Sequence, residues 1–166
     1  QRPQVWRAGA DTLGRATIVC GCGGGSEVAA TLPALLAGAG RLLLDADALN
    51  AVARDPALMA QLAGRRATGR PTILTPHPLE AARLLGTTTT DVQADRLGAA
   101  DRLAQHTGAV VLLKGSGTVI AAPGRALWIN ASGNAALAAP GSGDVLAGWI
   151  GGLWARQPAT DGDGDW

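Results

Sequence analysis

The sequence predicts an α/β protein whose central sheet is mostly parallel and is flanked by helices on both faces. Short apolar runs of strand length alternate with alanine- and leucine-rich stretches of helical length, the pattern of a parallel sheet with crossover helices. A glycine-rich or polar loop follows each of four such runs, and ligands bind at the carboxyl ends of parallel strands. The 166 residues fit one domain, assigned to 1–157, and the acidic, glycine-rich tail 158–166 is predicted to be disordered.

The individual elements follow from the same patterns, taken in chain order. Buried parallel strands are predicted at four apolar runs: Ala16–Cys20, Arg41–Leu44, Thr72–Leu74 and Val110–Leu113. Helices are predicted between these runs and near the end of the chain: Glu27–Ala37, Pro56–Leu62, Pro78–Leu85, Val92–Thr107 and about Asp144–Arg156. Thr118–Ala121 and Ala126–Ile129 are predicted to pair as a β-hairpin across a Pro-Gly turn.

Composition narrows the classes of function. The net charge is +1 and charges of both signs are interspersed, so we expect no nucleic-acid partner. No apolar run reaches the roughly 18 residues of a membrane span, and no secretory signal opens the sequence, so we expect a cytoplasmic protein without a membrane partner. Cys20 and Cys22 are interpreted as reduced structural thiols, and no metal-ligand set is predicted.

The loop Gly141-Ser142-Gly143-Asp144 is the most informative motif in the chain. Its glycines permit a close backbone approach, and a helix that starts here presents free N–H groups and a positive dipole end to an anion. Asp144 is the only ionisable side chain between Arg125 and Arg156. The motif therefore predicts a phosphate bound beside a general base.

Two further glycine-rich loops follow predicted strands. Gly21–Gly25 has four glycines in five residues, so a ligand can touch its backbone at Gly23 and Gly25, although a tight strand-to-helix turn explains the composition equally. The loop matches neither a Rossmann fingerprint nor a P-loop. Lys114-Gly115-Ser116-Gly117-Thr118 combines glycines, hydroxyls and an ammonium group, which suits a phosphate or a nucleotide; a solvated turn is the alternative.

Carboxylates follow the second predicted strand. In the loop Asp45–Asn50, Asp45 and Asp47 are expected to lie on one side of an extended segment. There they would support a metal or a polar ligand, or one of them would cap the next helix.

Other polar side chains stand in stiff or turn-rich segments. His77 lies between Pro76 and Pro78, which stiffen its loop, and we expect it to contact a ligand. Asn130 and Asn134 either orient a ligand or form Asx-turns.

The order of these motifs resembles the NAD(P)H-hydrate dehydratase family, a carbohydrate-kinase-like domain that repairs hydrated NADH and NADPH. The resemblance extends over Ile18 to Gln157 and rests on five segments: Leu42–Asn50, Leu74–Ala81, Leu112–Gly115, Asn130–Asn134 and Gly141–Gly148. It implies a ribokinase-like fold. It also implies a hydro-lyase that uses ADP, or less expectedly ATP, as phosphoryl donor with Mg²⁺, and hydrated NADH or NADPH as substrate.

The resemblance also implies roles for residues of this sequence. Asp144 would be the catalytic base, and Gly141, Ser142 and Gly143 would stabilise the transferring phosphate. The substrate would contact Gly23, Gly25, His77 and Asp144. The nucleotide would contact Lys114, Gly115, Ser116, Gly117, Thr118 and Gly143. Supporting roles fall to Asp45, Asp47, Asn50, Asn130 and Asn134.

The sequence departs from the family pattern in its loops and in its length. Ser142 stands where threonine is common, Cys22 where proline is common, and Leu79 where glycine is common. Family domains have segments before and after the matching region, so the chain is expected to be truncated at both ends, and dimerisation would cover the exposed surface. A fused or separate epimerase is a further expected partner. Two alternatives stay open: a sugar or vitamin-precursor kinase of the same fold, and a nucleotide-binding module without turnover.

Overall fold

A single six-stranded sheet organises the structure, a computed structural model that describes residues 10–158. The strands, which neighbour one another in chain order, are β1 Thr17–Cys20, β2 Arg41–Leu44, β3 Thr72–Leu74, β4 Val110–Leu113, β5 Thr118–Ala121 and β6 Trp128–Asn130. The first four are parallel, and β5 and β6 continue the sheet as an antiparallel hairpin. The predicted mostly parallel sheet is confirmed, and β6 begins two residues later than predicted. Of the predicted disordered tail, all but Pro158 lies outside the described residues.

Eight α-helices precede, connect or follow these strands in the described chain. They are α1 Ala10–Arg15, α2 Glu27–Gly38, α3 Ala46–Arg54, α4 Pro56–Gly64, α5 Pro78–Leu85, α6 Thr89–Ala94, α7 Arg96–Thr107 and α8 Ser142–Ala155. The helices predicted from Glu27, Pro56 and Pro78 are confirmed, and α8 begins two residues before the predicted Asp144. No helix among residues 10–158 is long and apolar enough to cross a membrane.

The prediction of a single helix over Val92–Thr107 is wrong, because the helical backbone is interrupted at Asp95. That residue has φ −139° and ψ 72°, outside the helical region, and its carboxylate accepts a hydrogen bond from the Gly98 amide at 2.8 Å. Asp95 therefore ends α6 and caps the start of α7.

The segment Asp45–Asn50 is not the extended loop that was predicted. Asp45 is the N-cap of α3, and its side chain accepts a hydrogen bond from the Ala46 amide at 2.9 Å. Asp47 therefore lies in the first helical turn, where a carboxylate also suits the helix dipole. The alternative of a helix cap is confirmed, and the shared extended side of the two carboxylates is not.

The helices cover the two faces of the sheet unequally. Because parallel crossovers are right-handed and the strands follow chain order, α2 to α7 lie on one face, where they bury the core with Leu42, Leu44 and Leu74. Val19 points to the opposite face, where α8 packs against β1 at Gly151. The carboxyl ends of β1 to β4 meet at one edge, next to the start of α8.

Candidate active site

An ion pair between a buried aspartate and a partly exposed lysine lies at the carboxyl edge of the sheet. The Lys114 ammonium, at the end of β4, donates a hydrogen bond to Asp45 Oδ1 at 2.8 Å. Asp45 is 1% exposed, so its carboxylate depends on Lys114 and on the Ala46 amide for compensation. Two residues that are 69 positions apart in sequence are thereby joined at the ends of two different strands.

The start of α8 faces this ion pair. Gly141, with φ +86°, is the N-cap, and no side chain caps the helix, so the first N–H groups of α8 lack a side-chain partner. A Cβ on Gly143 would lie 3.5 Å from Lys114 Nζ and 3.8 Å from Asp45 Oδ2, so the backbone of Gly143 borders the pair. The structure thus brings together Gly143, Lys114 and Asp45, all of which the sequence nominated.

Asp144 belongs to the same cluster, together with Cys22. One ligand atom from each of Asp144, Asp45 and Cys22 lies within 4.8 Å of the others. Burial first, and then the negative charges of the two aspartates, raise the pKa of the Cys22 thiol to about 11. Cys22 was interpreted only as a structural thiol, although it stands inside a loop that the sequence singled out.

The loop after β1 is tied to the start of α3. The amide of Gly25 donates to Asp47 Oδ2 at 2.8 Å, and the amide of Asp47 donates to the Gly21 carbonyl at 3.3 Å. A Cβ on Gly21 would overlap the Asp45 carbonyl oxygen, so this close approach requires glycine. A Cβ on Gly23 or Gly25 would meet nothing within 4 Å, so both glycines border open space.

His77 acts as a helix cap in this structure. Its Nδ1 accepts hydrogen bonds from the amides of Leu79 and Glu80 at 3.1 and 3.4 Å. The Glu80 carboxylate in turn accepts a hydrogen bond from the His77 amide at 2.8 Å. The reciprocal pattern is a capping box at the start of α5. The imidazole is about half exposed, so its predicted contact with substrate stays a prediction.

The segment Lys114–Thr118 is tied to the neighbouring loops. The Lys114 amide donates to the carbonyl of Pro76, which precedes His77, at 2.8 Å. Within the segment, Thr118 Oγ1 donates to the Gly115 carbonyl at 3.1 Å, and Ser116 is exposed. Arg96 contacts three carbonyls in and beside the segment, a role for which the sequence carried no signal.

Three asparagines singled out from the sequence accept hydrogen bonds in the structure. Asn50 accepts a hydrogen bond from Arg83 Nη1 at 2.6 Å and so links α3 to α5. Asn130 accepts from the Ser132 amide at 3.1 Å, and Asn134 accepts from the Ala136 amide at 2.9 Å. The last two contacts are those of the Asx-turn alternative, and a ligand-orienting role for these two residues stays a prediction.

A solved structure shares this architecture. A ribokinase-like superfamily protein from Enterococcus faecalis superposes with a TM-score of 0.69 at 24% sequence identity, over 91% of this chain and 51% of that one. The architecture is thus that of the ribokinase-like class of α/β folds. Within that class, the model of the NAD(P)H-hydrate dehydratase family matches residues 8–162, and the chain belongs to that family.

Several relatives share extensive sequence with the chain. The ADP-dependent (S)-NAD(P)H-hydrate dehydratase of Neisseria meningitidis is 42% identical over 162 residues, which cover 93% of this chain and 53% of that protein. The bifunctional NAD(P)H-hydrate repair enzyme of Moorella thermoacetica is 50% identical over 111 residues, which cover 67% of this chain and 20% of that one.

One solved relative was crystallised with a nucleotide. The ADP/ATP-dependent NAD(P)H-hydrate dehydratase of Bacillus subtilis, co-crystallised with ATP/Mg²⁺, is 37% identical with a TM-score of 0.58, over 72% of this chain and 40% of that one. The chain therefore spans about half, or less, of the length of these relatives.

Proposed function

We propose that this chain carries the nucleotide-dependent dehydration of hydrated NADH or NADPH back to the reduced coenzyme. One observation carries the proposal: Asp144 lies in the first turn of a helix that no side chain caps, beside the Lys114–Asp45 pair. The named activities of the Neisseria and Bacillus relatives support it. The Neisseria relative, at the higher identity, favours ADP over ATP as the phosphoryl donor.

The groups of the site suit transfer of a phosphoryl group from the nucleotide to the hydrate and then elimination of phosphate from the product. The terminal phosphate of the nucleotide would lie at the amides that begin α8, where the helix dipole and the adjacent Lys114 favour an anion. Asp144 would take the proton from the hydroxyl of the hydrate while that oxygen bonds to phosphorus and the bond to the leaving nucleotide breaks. Cleavage of the carbon–oxygen bond would release orthophosphate, and loss of a neighbouring ring proton would restore the double bond.

We propose Mg²⁺ as part of the loaded site. The carboxylate oxygens of Asp45 and Asp144 are the hard donors that Mg²⁺ prefers, so two of the three ligand atoms in the cluster with Cys22 suit the ion. The phosphates of the nucleotide would supply further ligands. The bound ion would neutralise charge on the phosphates.

The compartment and the partner are proposed from the thiols and from the relatives. The two free cysteines and a coenzyme substrate suit a reducing compartment such as the cytoplasm. Because some relatives are bifunctional repair enzymes, an epimerase is a suitable partner.

Substitution of Asp144 tests the proposed reaction. The folded protein with hydrated NADH and ADP or ATP should restore the absorbance of the reduced nicotinamide. Asp144→Asn should lower kcat by about 10²- to 10⁴-fold, because it removes the base, and it should retain nucleotide binding measured by calorimetry. Asp101→Asn, an isosteric change on α7, is the matched control and should leave kcat unchanged.

Three results would contradict these assignments. Wild-type turnover by Asp144→Asn would remove the assigned base. A folded protein that binds ADP and restores no absorbance would support a binding module instead. A stable phosphorylated product without orthophosphate would identify a small-molecule kinase of the same fold.

A further inference from the structure

The guanidinium of Arg96, the first residue of α7, contacts the backbone of the predicted nucleotide-binding segment. Its Nη2 donates to the carbonyl oxygens of Leu113, Lys114 and Gly117 at 3.1, 3.3 and 3.4 Å. Its Nη1 donates to Gln93 Oε1 at 3.0 Å, which holds the other side of the fork. A side chain on a helix thus collects three carbonyls from the end of β4 and the turn that follows it.

These contacts fix the direction of the peptide groups. In a trans peptide the C=O and the following N–H point in opposite directions. A Lys114 carbonyl turned toward Arg96 therefore turns the Gly115 amide away from it. The Leu113–Lys114 peptide behaves in this way, because its carbonyl faces Arg96 while its amide donates to the Pro76 carbonyl, on the loop of the neighbouring strand.

This direction matters for an anion. Carbonyl oxygens repel a phosphate and amide groups attract it, so a turn that binds phosphate must direct its carbonyls elsewhere. Arg96 donates hydrogen bonds to three such carbonyls and so holds them away from an anion. Among residues 10–158 no carboxylate forms an ion pair with Arg96, so its positive charge also remains close to the turn.

Gly115 is shaped to receive the guanidinium. Its φ is +145°, which favours glycine, and a Cβ at this position would lie 3.0 Å from both Nη1 and Nη2 of Arg96. The absence of a side chain at Gly115 and the orientation of Arg96 are therefore two parts of one arrangement.

We propose that Arg96 is a positioning residue that sets the conformation of the turn Lys114–Gly117 for binding the phosphates of a nucleoside diphosphate. The inference rests on the proposed function. Arg96 acts through the backbone of the turn, and it determines nucleotide affinity more than the rate of the chemical step.

Substitution of Arg96 tests this inference. Arg96→Gln removes the three-carbonyl fork and should weaken ADP binding, measured by calorimetry, by roughly tenfold or more. The KM for ADP should rise by a similar factor while kcat changes less. Arg102→Gln removes an arginine of the same helix that pairs with Asp95 at 3.1 Å, and it should leave the Kd for ADP unchanged.

Two more variants separate positioning from general damage. Arg96→Lys keeps the positive charge and should disturb the fold less than Arg96→Gln does. Because a single ammonium cannot reach all three carbonyls, ADP binding should still weaken. Gly115→Ala should weaken binding as well, and combined with Arg96→Gln it should add less than its separate effect.

The outcomes distinguish this inference from the proposed function. If the wild type binds ADP and folded Arg96→Gln and Arg96→Lys bind it equally well, the inference is wrong and the proposed function stands. If the folded wild type binds neither ADP nor ATP, the proposed function itself is wrong.

Discussion

Cys20 and Cys22 hold their protons well above neutral pH, although both are free thiols near the proposed site. Burial, then the neighbouring Cys22, raises the pKa of Cys20 from 9.0 to about 11. Since the thiolate is the reactive form, at pH 8 the native thiols should react with iodoacetamide roughly 100-fold more slowly than in urea. The rate should rise with pH toward the pKa of about 11.

Single substitutions assign this reactivity. The measurement is mass spectrometry of alkylated protein in EDTA, with Cys20→Ser and Cys22→Ser reporting one thiol each. Rapid alkylation of either native thiol at pH 8 would contradict the burial described for it.

Residues of the candidate site were predictable where composition marked them. Asp144 stands alone in an apolar, glycine-rich stretch, and Lys114 is the one charged residue in its loop, so both were nominated and both lie in the cluster. Cys22 was missed as a neighbour of the carboxylates because its distance to Asp45 depends on how two loops fold together. Arg96 was missed because an arginine on a predicted helix surface resembles any solvated residue.

At the scale of an element, the packing of α8 on β1 depends on one glycine. Gly151 faces Val19, and a Cβ there would overlap the valine side chain, whereas a Cβ on Gly152 would meet nothing within 4 Å. Gly151→Ala should therefore destabilise the protein by about 1–3 kcal/mol through overpacking. Gly152→Ala should be neutral or stabilise it by up to about 1 kcal/mol through helix propensity.

Urea denaturation of the two variants measures this difference. The pair is matched because both changes are glycine to alanine on adjacent residues of α8. Equal free energies of unfolding for the two variants would contradict the placement of α8 on this face of the sheet.

Helices and strands were predictable from the sequence where neighbouring residues alone mark their ends. The strands β1 to β4 are short apolar runs bounded by turns, and each matched its prediction to within one residue. The break at Asp95 was missed because the spacing of apolar residues continues through it, while the cap is a local hydrogen bond to Gly98. Helix α3 was missed because its first residues read as a polar loop.

At the scale of the whole molecule, acid should destabilise the fold through exposed helix caps. Hydrogen bonds from Thr88 and Thr87 lower the pKa of Asp91, and the Gly98 amide, then Arg102, lower that of Asp95. A folded-state pKa below the unfolded value contributes stability above the unfolded pKa, and this stability is lost as pH falls through the folded value. The free energy of unfolding should therefore decline as the pH falls below about 4.

A double variant isolates the two caps. The double variant Asp91→Asn/Asp95→Asn keeps side-chain oxygens that accept the capping hydrogen bonds but removes the titrating carboxylates. Its free energy of unfolding should therefore fall less steeply over the same range of pH. Denaturant titrations at successive pH values give both slopes, and identical slopes would contradict this account.

The arrangement of the whole sheet was predictable only in outline. Alternating strands and helices indicated parallel crossovers, and right-handed connections then fix one face for α2 to α7. Nothing local indicated that α8 alone would pack on the other face at β1, or that Arg65 would be buried. That guanidinium donates to the carbonyls of Leu36 and Ala39 at 2.6 and 2.8 Å, contacts made only when distant segments meet.

The contacts between the loop after β1 and the start of α3 have a consequence for engineering. Gly21 touches the Asp45 backbone and Asp47 holds the Gly25 amide, so these two segments fit each other. A chimera that transplants only one of them from a relative would leave mismatched surfaces where they meet, while one that transplants both would keep their fit. Attempts to alter substrate range should therefore exchange both segments together.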